Sequence, residues 1–220
     1  MKRLLVSAFT FIFVFGTVTA QDEPAKPISF GAKAGVNFAT ITGDDLGDVD
    51  GKTSFHIGVL AEIPISDVFS IQPELLYSRQ GAKESYTESF SGMTFSEDLD
   101  IKLDYLLLPV MAKYYVTDGF SIEAGPQIGF LLNAEIDYEF SESGDGMSFN
   151  ESGTLDIKDA VKSVDFGLNF GLGYKLDNGL NFNVRYNLGL TDGNDDPEFF
   201  DSDGAFKNSV IQIGVGYFFN

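Results

Sequence analysis

The feature that most constrains this chain is a period-two alternation of apolar and polar residues. It recurs in nearly every segment from Ile28 to Phe219. In Leu180-Asn181-Phe182-Asn183-Val184-Arg185-Tyr186-Asn187-Leu188-Gly189-Leu190 every second residue is apolar, and those between are Asn, Arg or Gly. Such a period places the two sets on opposite faces of a β-strand. In a soluble sandwich the apolar face would pack on a second sheet. Here almost every strand carries the pattern and the chain opens on a secretory leader. Together these imply a closed transmembrane barrel, with apolar residues toward lipid and polar residues toward the interior.

The leader has three parts: Lys2 and Arg3, an apolar run from Leu4 to Gly16, and the small-residue end Val18-Thr19-Ala20. Residues 1–20 therefore read as a signal peptide cleaved before Gln21. The apolar run is shorter than the ~20 residues a spanning helix needs. Residues 21–27 read as a short periplasmic linker and residues 28–220 as the barrel domain. Cys is absent, which excludes disulfides, thiolate metal sites and a Cys nucleophile. Trp is absent too, so the interfacial girdles fall to the 9 Tyr and 22 Phe. The net charge of −19 leaves no basic surface for nucleic acid.

The alternation predicts eight strands, at about Ile28–Ala39, Thr53–Ile65, Phe69–Gln80, Asp100–Val116, Phe120–Ile136, Ser163–Leu176, Leu180–Leu190 and Asn208–Phe219. In the fourth, Lys102 and Asp104 have one parity and Lys113 the other, which predicts a bulge near Pro109. Tight turns fall near Ser66, Thr117 and Asp177, the last as Asp-Asn-Gly, which suits the positive φ of a type I′ turn. Long connections span about Ile41–Lys52, Lys83–Leu99, Asp137–Lys162 and Asp192–Phe206. Short turns alternating with long loops are the connection rule of bacterial barrels. The expected fold is thus all-β: an eight-stranded antiparallel up-and-down transmembrane β-barrel, with short periplasmic turns, long extracellular loops and both termini in the periplasm.

The inward positions carry both signs of charge: Lys33, Glu62, Glu74, Asp104, Lys113, Glu123, Asp165, Lys175 and Arg185, with Asn133 and Glu135 on the same expected face. An eight-stranded barrel is only wide enough for its side chains to fill. Opposite charges would therefore pair and close it, since an unpartnered buried charge is costly. The inward glycines fit the same tight curvature. The one histidine, His56, also points inward, with no nucleophile paired to it in the sequence, so no catalytic site is assigned. Twenty-one of the 33 acidic residues fall in the four long connections, which reads as a solvated, repulsive outer surface. Asp192, Asp195, Asp196 and Glu198 are the cluster best placed to take a divalent cation, Ca²⁺ or Mg²⁺. The run does not have EF-hand spacing, and no other cofactor is expected.

Four motifs are similar to patterns of one family. They are Phe30-Gly31-Ala32-Lys33-Ala34-Gly35-Val36-Asn37, Pro73-Glu74-Leu75-Leu76-Tyr77, Tyr105-Leu106-Leu107-Leu108-Pro109 with Lys113-Tyr114, and Gly125-Pro126-Gln127 with Gly129. By these the chain resembles the Bacteroidetes outer-membrane β-barrel domain proteins, described as porin-family or PorT-like. The resemblance covers essentially all of the mature chain. It implies the outer membrane of a Gram-negative bacterium, contact with outer-membrane lipids, and insertion by the barrel-assembly machinery. No catalytic residue carries over. The expected function is that of a small integral membrane protein with a structural or surface-interaction role and an unknown extracellular partner. Two alternatives stand beside it: a narrow porin for small solutes or cations, and an accessory role in secretion or motility.

Overall fold

A computed structural model describes residues 27–43, 50–144, 147–196 and 205–219. The leader at 1–20 and linker residues 21–26 lie outside the described residues. The strands are β1 (Ser29–Thr42), β2 (Asp50–Pro64), β3 (Phe69–Phe90), β4 (Met93–Tyr115), β5 (Phe120–Gly144), β6 (Met147–Asp156), β7 (Val164–Lys175), β8 (Leu180–Gly189) and β9 (Lys207–Phe218). All pairings are antiparallel, and β1 pairs with both β2 and β9. The ring β1-β2-β3-β4-β5-β7-β8-β9 therefore closes on itself, which leaves the barrel wall without an edge.

The register shows the stagger that closure demands. One cross-strand row runs Phe69, Tyr114, Ile122, Leu172, Val184, Ile213, Val36, Phe55. It starts at the first residue of β3, beside a short turn, and ends near the opposite end of β2. A closed barrel requires this tilt and shear. Every member of the row faces outward, and most are about half exposed to the membrane side, Val184 at 49%. The three short turns, Pro27 and Phe219 share one end of the barrel, where they line an open cavity of about 740 Å³. By the connection rule that end is periplasmic.

Two expectations are corrected. The stretches 83–99 and 137–162 are not simply loops. β3 and β4 continue past the barrel and meet at Ser91-Gly92, where both residues have positive φ, 56° and 87°. That is the requirement of a two-residue type I′ turn. β5 likewise continues to Gly144, and β6 folds back against it from Met147 to Asp156. The wall thus has the eight expected strands. The ninth, β6, pairs with the upper half of β5 alone, while β7 takes the lower half. The upper parts of β3, β4, β5 and β6 form a four-stranded sheet standing above the barrel on the extracellular side.

The second correction concerns parity. No bulge is needed at Pro109, because Leu103, Tyr105, Leu107, Met111 and Lys113 all point inward in one unbroken alternation. The register instead breaks on β5: Asp104 pairs with Asn133 and Tyr105 with Leu131, leaving Leu132 as the extra residue. Beyond this bulge Ala134 is the inward residue, fully buried, and Asn133 and Glu135 take the outer parity. Asp104 is on the outer face as well, against Arg79 of β3, with Nε–Oδ1 at 2.7 Å and Nη2–Oδ2 at 2.9 Å.

Candidate functional site

The interior is filled in layers. Nearest the periplasm, Glu62 of β2 accepts a hydrogen bond from Ser70 (2.8 Å) and pairs with Lys175 of β7 (2.9 Å), and Tyr115 donates to the same carboxylate. Above it lies an alternating chain of five charges. Lys33 meets Glu74 at 3.2 Å, and Arg185 grips Glu74 through Nη1 (2.8 Å) and Nη2 (2.7 Å). Arg185 also donates to Glu123 through Nε (3.1 Å) and Nη2 (2.9 Å), and Glu123 meets Lys113 at 3.3 Å. Gln72 bridges Glu74 and Lys113, donating to Glu74 (2.7 Å) and accepting from Lys113 (3.1 Å). Bidentate and charge-assisted contacts of this kind are the strong ones, and together they satisfy most of the lone pairs that burial would otherwise strand.

Glycines make the room. A Cβ at Gly171 would stand 2.7 Å from Arg185 Cγ, and one at Gly173 would stand 2.4 Å from Glu123 Oε1. His56 fits beside Gly35 in the same way, where a Cβ would come within 2.5 Å of its Cε1. Its Nδ1 lies 2.8 Å from Asn37 Oδ1, so the ring belongs to an amide network that also holds Ser78 and Gln212.

Above the charges the lumen turns apolar. Leu76, Leu103, Tyr105, Leu107 and Leu131 from the wall pack with Ile41 and Ala82 beneath Ile157, Val161 and Phe206 from the extracellular connections. The chain closes over them. Ile157 N–H donates to Ala134 O (3.0 Å), Lys162 N–H to Gly193 O (2.8 Å), and Gly193 N–H to Phe206 O (2.7 Å). A single turn of 3-10 helix, Lys158–Ala160, carries the cap. Sequence reading missed this plug because its members are scattered through several strands and two connections. Tyr105 and Leu107, both in the Tyr-Leu-Leu-Leu-Pro run, were the available signal.

Of the nine charges expected inside, Lys33, Glu74, Arg185, Glu123 and Lys113 come together in the central chain, and Glu62 and Lys175 in the periplasmic pair. Asp165 points inward at the level of the apolar plug, beside Asn208, whose amide also reaches Tyr105 Oη at 3.3 Å. Asp104 lies on the outer face for the reason given above. Of the acids considered for a cation, Asp192 is already occupied by the loop: its Oδ1 accepts the N–H groups of Asn194 (3.0 Å) and Phe206 (3.2 Å), and Lys162 stands 3.7 Å from Oδ2. Asp195 is exposed, and Glu198 lies outside the described residues. Among the described residues no three acidic or imidazole groups converge on a point that could hold a metal ion.

The closed antiparallel ring, the lipid-facing apolar belt and the side-chain-filled lumen define a small outer-membrane barrel. The chain belongs to the outer membrane protein β-barrel domain family, which matches residues 19–193, and it resides in the outer membrane of a Gram-negative bacterium. Among solved structures it is similar to Neisserial surface protein A, at 14% identity and TM-score 0.50 over 88% of this chain and 100% of that one. Ail, the attachment invasion locus protein of Yersinia pestis, aligns at 11% identity and TM-score 0.46 over 87% and 98%. CarO of Acinetobacter baumannii aligns at 13% and 0.38 over 85% and 97%. At such identities the likeness concerns the fold. No curated protein matches the chain.

Proposed function

We propose that this barrel is closed to solutes and acts at its extracellular surface, as an integral structural and surface-interaction protein. The observation that carries this reading is the apolar plug above the ion-pair chain. A path for water or ions would have to pass the Leu103, Leu107 and Leu131 layer and then displace buried charge pairs. Neither layer offers a row of carbonyls or like charges of the kind that lines a conducting filter. The protein is not an enzyme in this reading, since His56 serves an amide network.

We further propose that the chain is kin to the PorT-like proteins of Bacteroidetes. The placement of its motif residues supports it: Tyr105 joins the apolar plug and Lys113 the ion-pair chain, so the motif builds the seal.

The test is single-channel conductance of the refolded mature chain in a planar bilayer. Silence from protein shown to be inserted is expected. Steady, cation-selective steps would replace this reading with a narrow porin.

A further inference from the structure

The sheet above the barrel has two unlike faces. The outer face, continuing the barrel's outer wall, carries rows such as Ser85, Asp98, Glu139, Ser152 and Thr87, Ser96, Ser141, Asn150. No apolar side chain stands on it above Lys102. The inner face begins at Ala82, Ile101 and Ile136, which join the interior apolar cluster, and rises over the barrel mouth. Two successive rows of that face read Tyr86, Glu97, Phe140, Glu151 and Glu88, Phe95, Glu142, Phe149. Aromatic rings and carboxylates therefore alternate both across the strands and along them. Cross-strand neighbours in such rows sit about 5 Å apart and successive rows about 7 Å apart. Every ring is thus flanked by carboxylates, and every carboxylate by rings. At the tip the face ends in apolar residues, Phe90 at 74% exposure and Met147 at 77%.

An amphipathic sheet ordinarily buries its apolar face. Here Tyr86, Phe95, Phe140 and Phe149 remain exposed, Phe149 at 57%. Exposed aromatic rings gathered on one face in this way mark an interaction site. Its charge selects the occupant. The face holds Glu84, Glu88, Glu97, Glu142 and Glu151 and no Lys or Arg. A second copy of the same face would be repelled, and so would an anionic glycolipid. A guanidinium or ammonium group set over one cell would meet a ring face and a carboxylate together, which combines cation–π attraction with ion pairing.

We infer that the inner face of the β3–β6 sheet binds a cationic amphipathic polypeptide, rich in Arg or Lys with apolar residues between. This rests on the reading of the protein as a surface-interaction barrel and names the surface and the partner's chemistry.

The test uses the mature chain refolded into nanodiscs of zwitterionic lipid, with fluorescein-labelled peptides of alternating Arg and Val, or Glu and Val, read by anisotropy. Saturable binding of the Arg peptide and none of the Glu peptide is expected. Phe95→Ser/Phe149→Ser and Glu97→Gln/Glu142→Gln should each weaken binding by about tenfold or more. Asp98→Asn/Glu139→Gln, the same loss of charge on the outer face, should leave it unchanged. All the substituted positions lie above the membrane band, and the heat-sensitive gel mobility of a closed barrel checks that each variant folds. No binding by the wild type, or equal loss in the outer-face variant, overturns the proposal. The two readings fail separately: a conducting barrel would sink the closed-barrel reading, and a silent barrel that ignores the Arg peptide would sink only this one.

Discussion

Arg185 and Glu74 face each other from diametrically opposite strands of the eight-stranded ring, β8 and β3, and are joined by two parallel hydrogen bonds of 2.7 and 2.8 Å. One side chain reaches the far wall, so this pair spans the lumen. Arg185 also holds Glu123 on β5, which is nearer to β8 in the ring order than β3 is. The guanidinium is therefore the centre of the polar seal.

Arg185→Met should be strongly destabilising. It leaves Glu74 with Lys33 and Glu123 with Lys113, and removing one partner from a buried ion pair costs about 3–5 kcal/mol. Because Glu74 and Arg185 are coupled, Arg185→Met/Glu74→Gln should lose less than the sum of the two single changes. Urea unfolding in lipid vesicles, followed by gel mobility, measures the cycle. Strict additivity would mean that the pair is not coupled.

Val184→Arg should impair insertion. Val184 lies mid-strand in the outward row between Leu172 and Ile213, and an Arg near the bilayer midplane costs about 2–4 kcal/mol. The same change at Ser141, on the polar outer face of the extracellular sheet, should be nearly neutral. Folding yield into liposomes compares the two. Equal yields would contradict the in-out assignment.

Deleting Leu132 should be tolerated. It is the one unpaired residue of the β5 bulge, and without it the Asp104–Asn133 and Tyr105–Leu131 pairings become consecutive rungs of a regular ladder. Glu97 and Phe140 should stay opposite each other. In this Cys-free chain, a Glu97→Cys/Phe140→Cys variant reports that directly by oxidative crosslinking. If the crosslink disappears on deletion, the strand has no bulge at Leu132.

Asp137, above the lipid band, should titrate below the ordinary carboxylate range. The hydrogen bond from Lys102 is the main cause, with Thr154 Oγ1 donating to Oδ1 at 2.9 Å. A carboxylate whose folded pKa is depressed stabilises the fold above its unfolded value, and that contribution fades as pH falls through the folded one. Lys102→Met should move the midpoint of Asp137 upward. A carbon-detected NMR titration of the side-chain carboxyl checks this, and an unmoved midpoint would mean the pair does not form in solution.

The wall of the barrel was legible because its two faces meet two different environments. Phe166, Phe170 and Leu172 alternate cleanly with Asp165, Asn169 and Gly171, and all these residues lie where that alternation puts them. The extracellular sheet was not legible for the opposite reason. Both of its faces meet water, and Glu88, Glu97 and Glu142 take places beside Tyr86, Phe95 and Phe140 on one face. That weakens the period-two signal and leaves a stretch that reads as an acidic loop. Ser91-Gly92 was the surviving turn signal.

The charges illustrate the same division. That Lys33, Glu74, Glu123 and Arg185 point inward follows from parity along single strands, a local property. Which of them meet depends on which strands face each other across the lumen, and on glycines such as Gly171 that let a long side chain cross. Asp104 shows the limit. Leu103 and Tyr105 on either side of it take inward places in the apolar plug. Asp104 is thereby carried to the outer face, where Arg79 of β3 meets it.

The amino-acid sequence by itself determined the barrel class, the strand-and-turn plan of its wall and the outward belt, because each depends on periodicity and turn chemistry read along the chain. Only the tertiary structure decided the pairing of the charges, the apolar plug and the two-faced sheet above the mouth. Those depend on register between strands far apart in sequence, and a shift of one residue exchanges every inward side chain for an outward one.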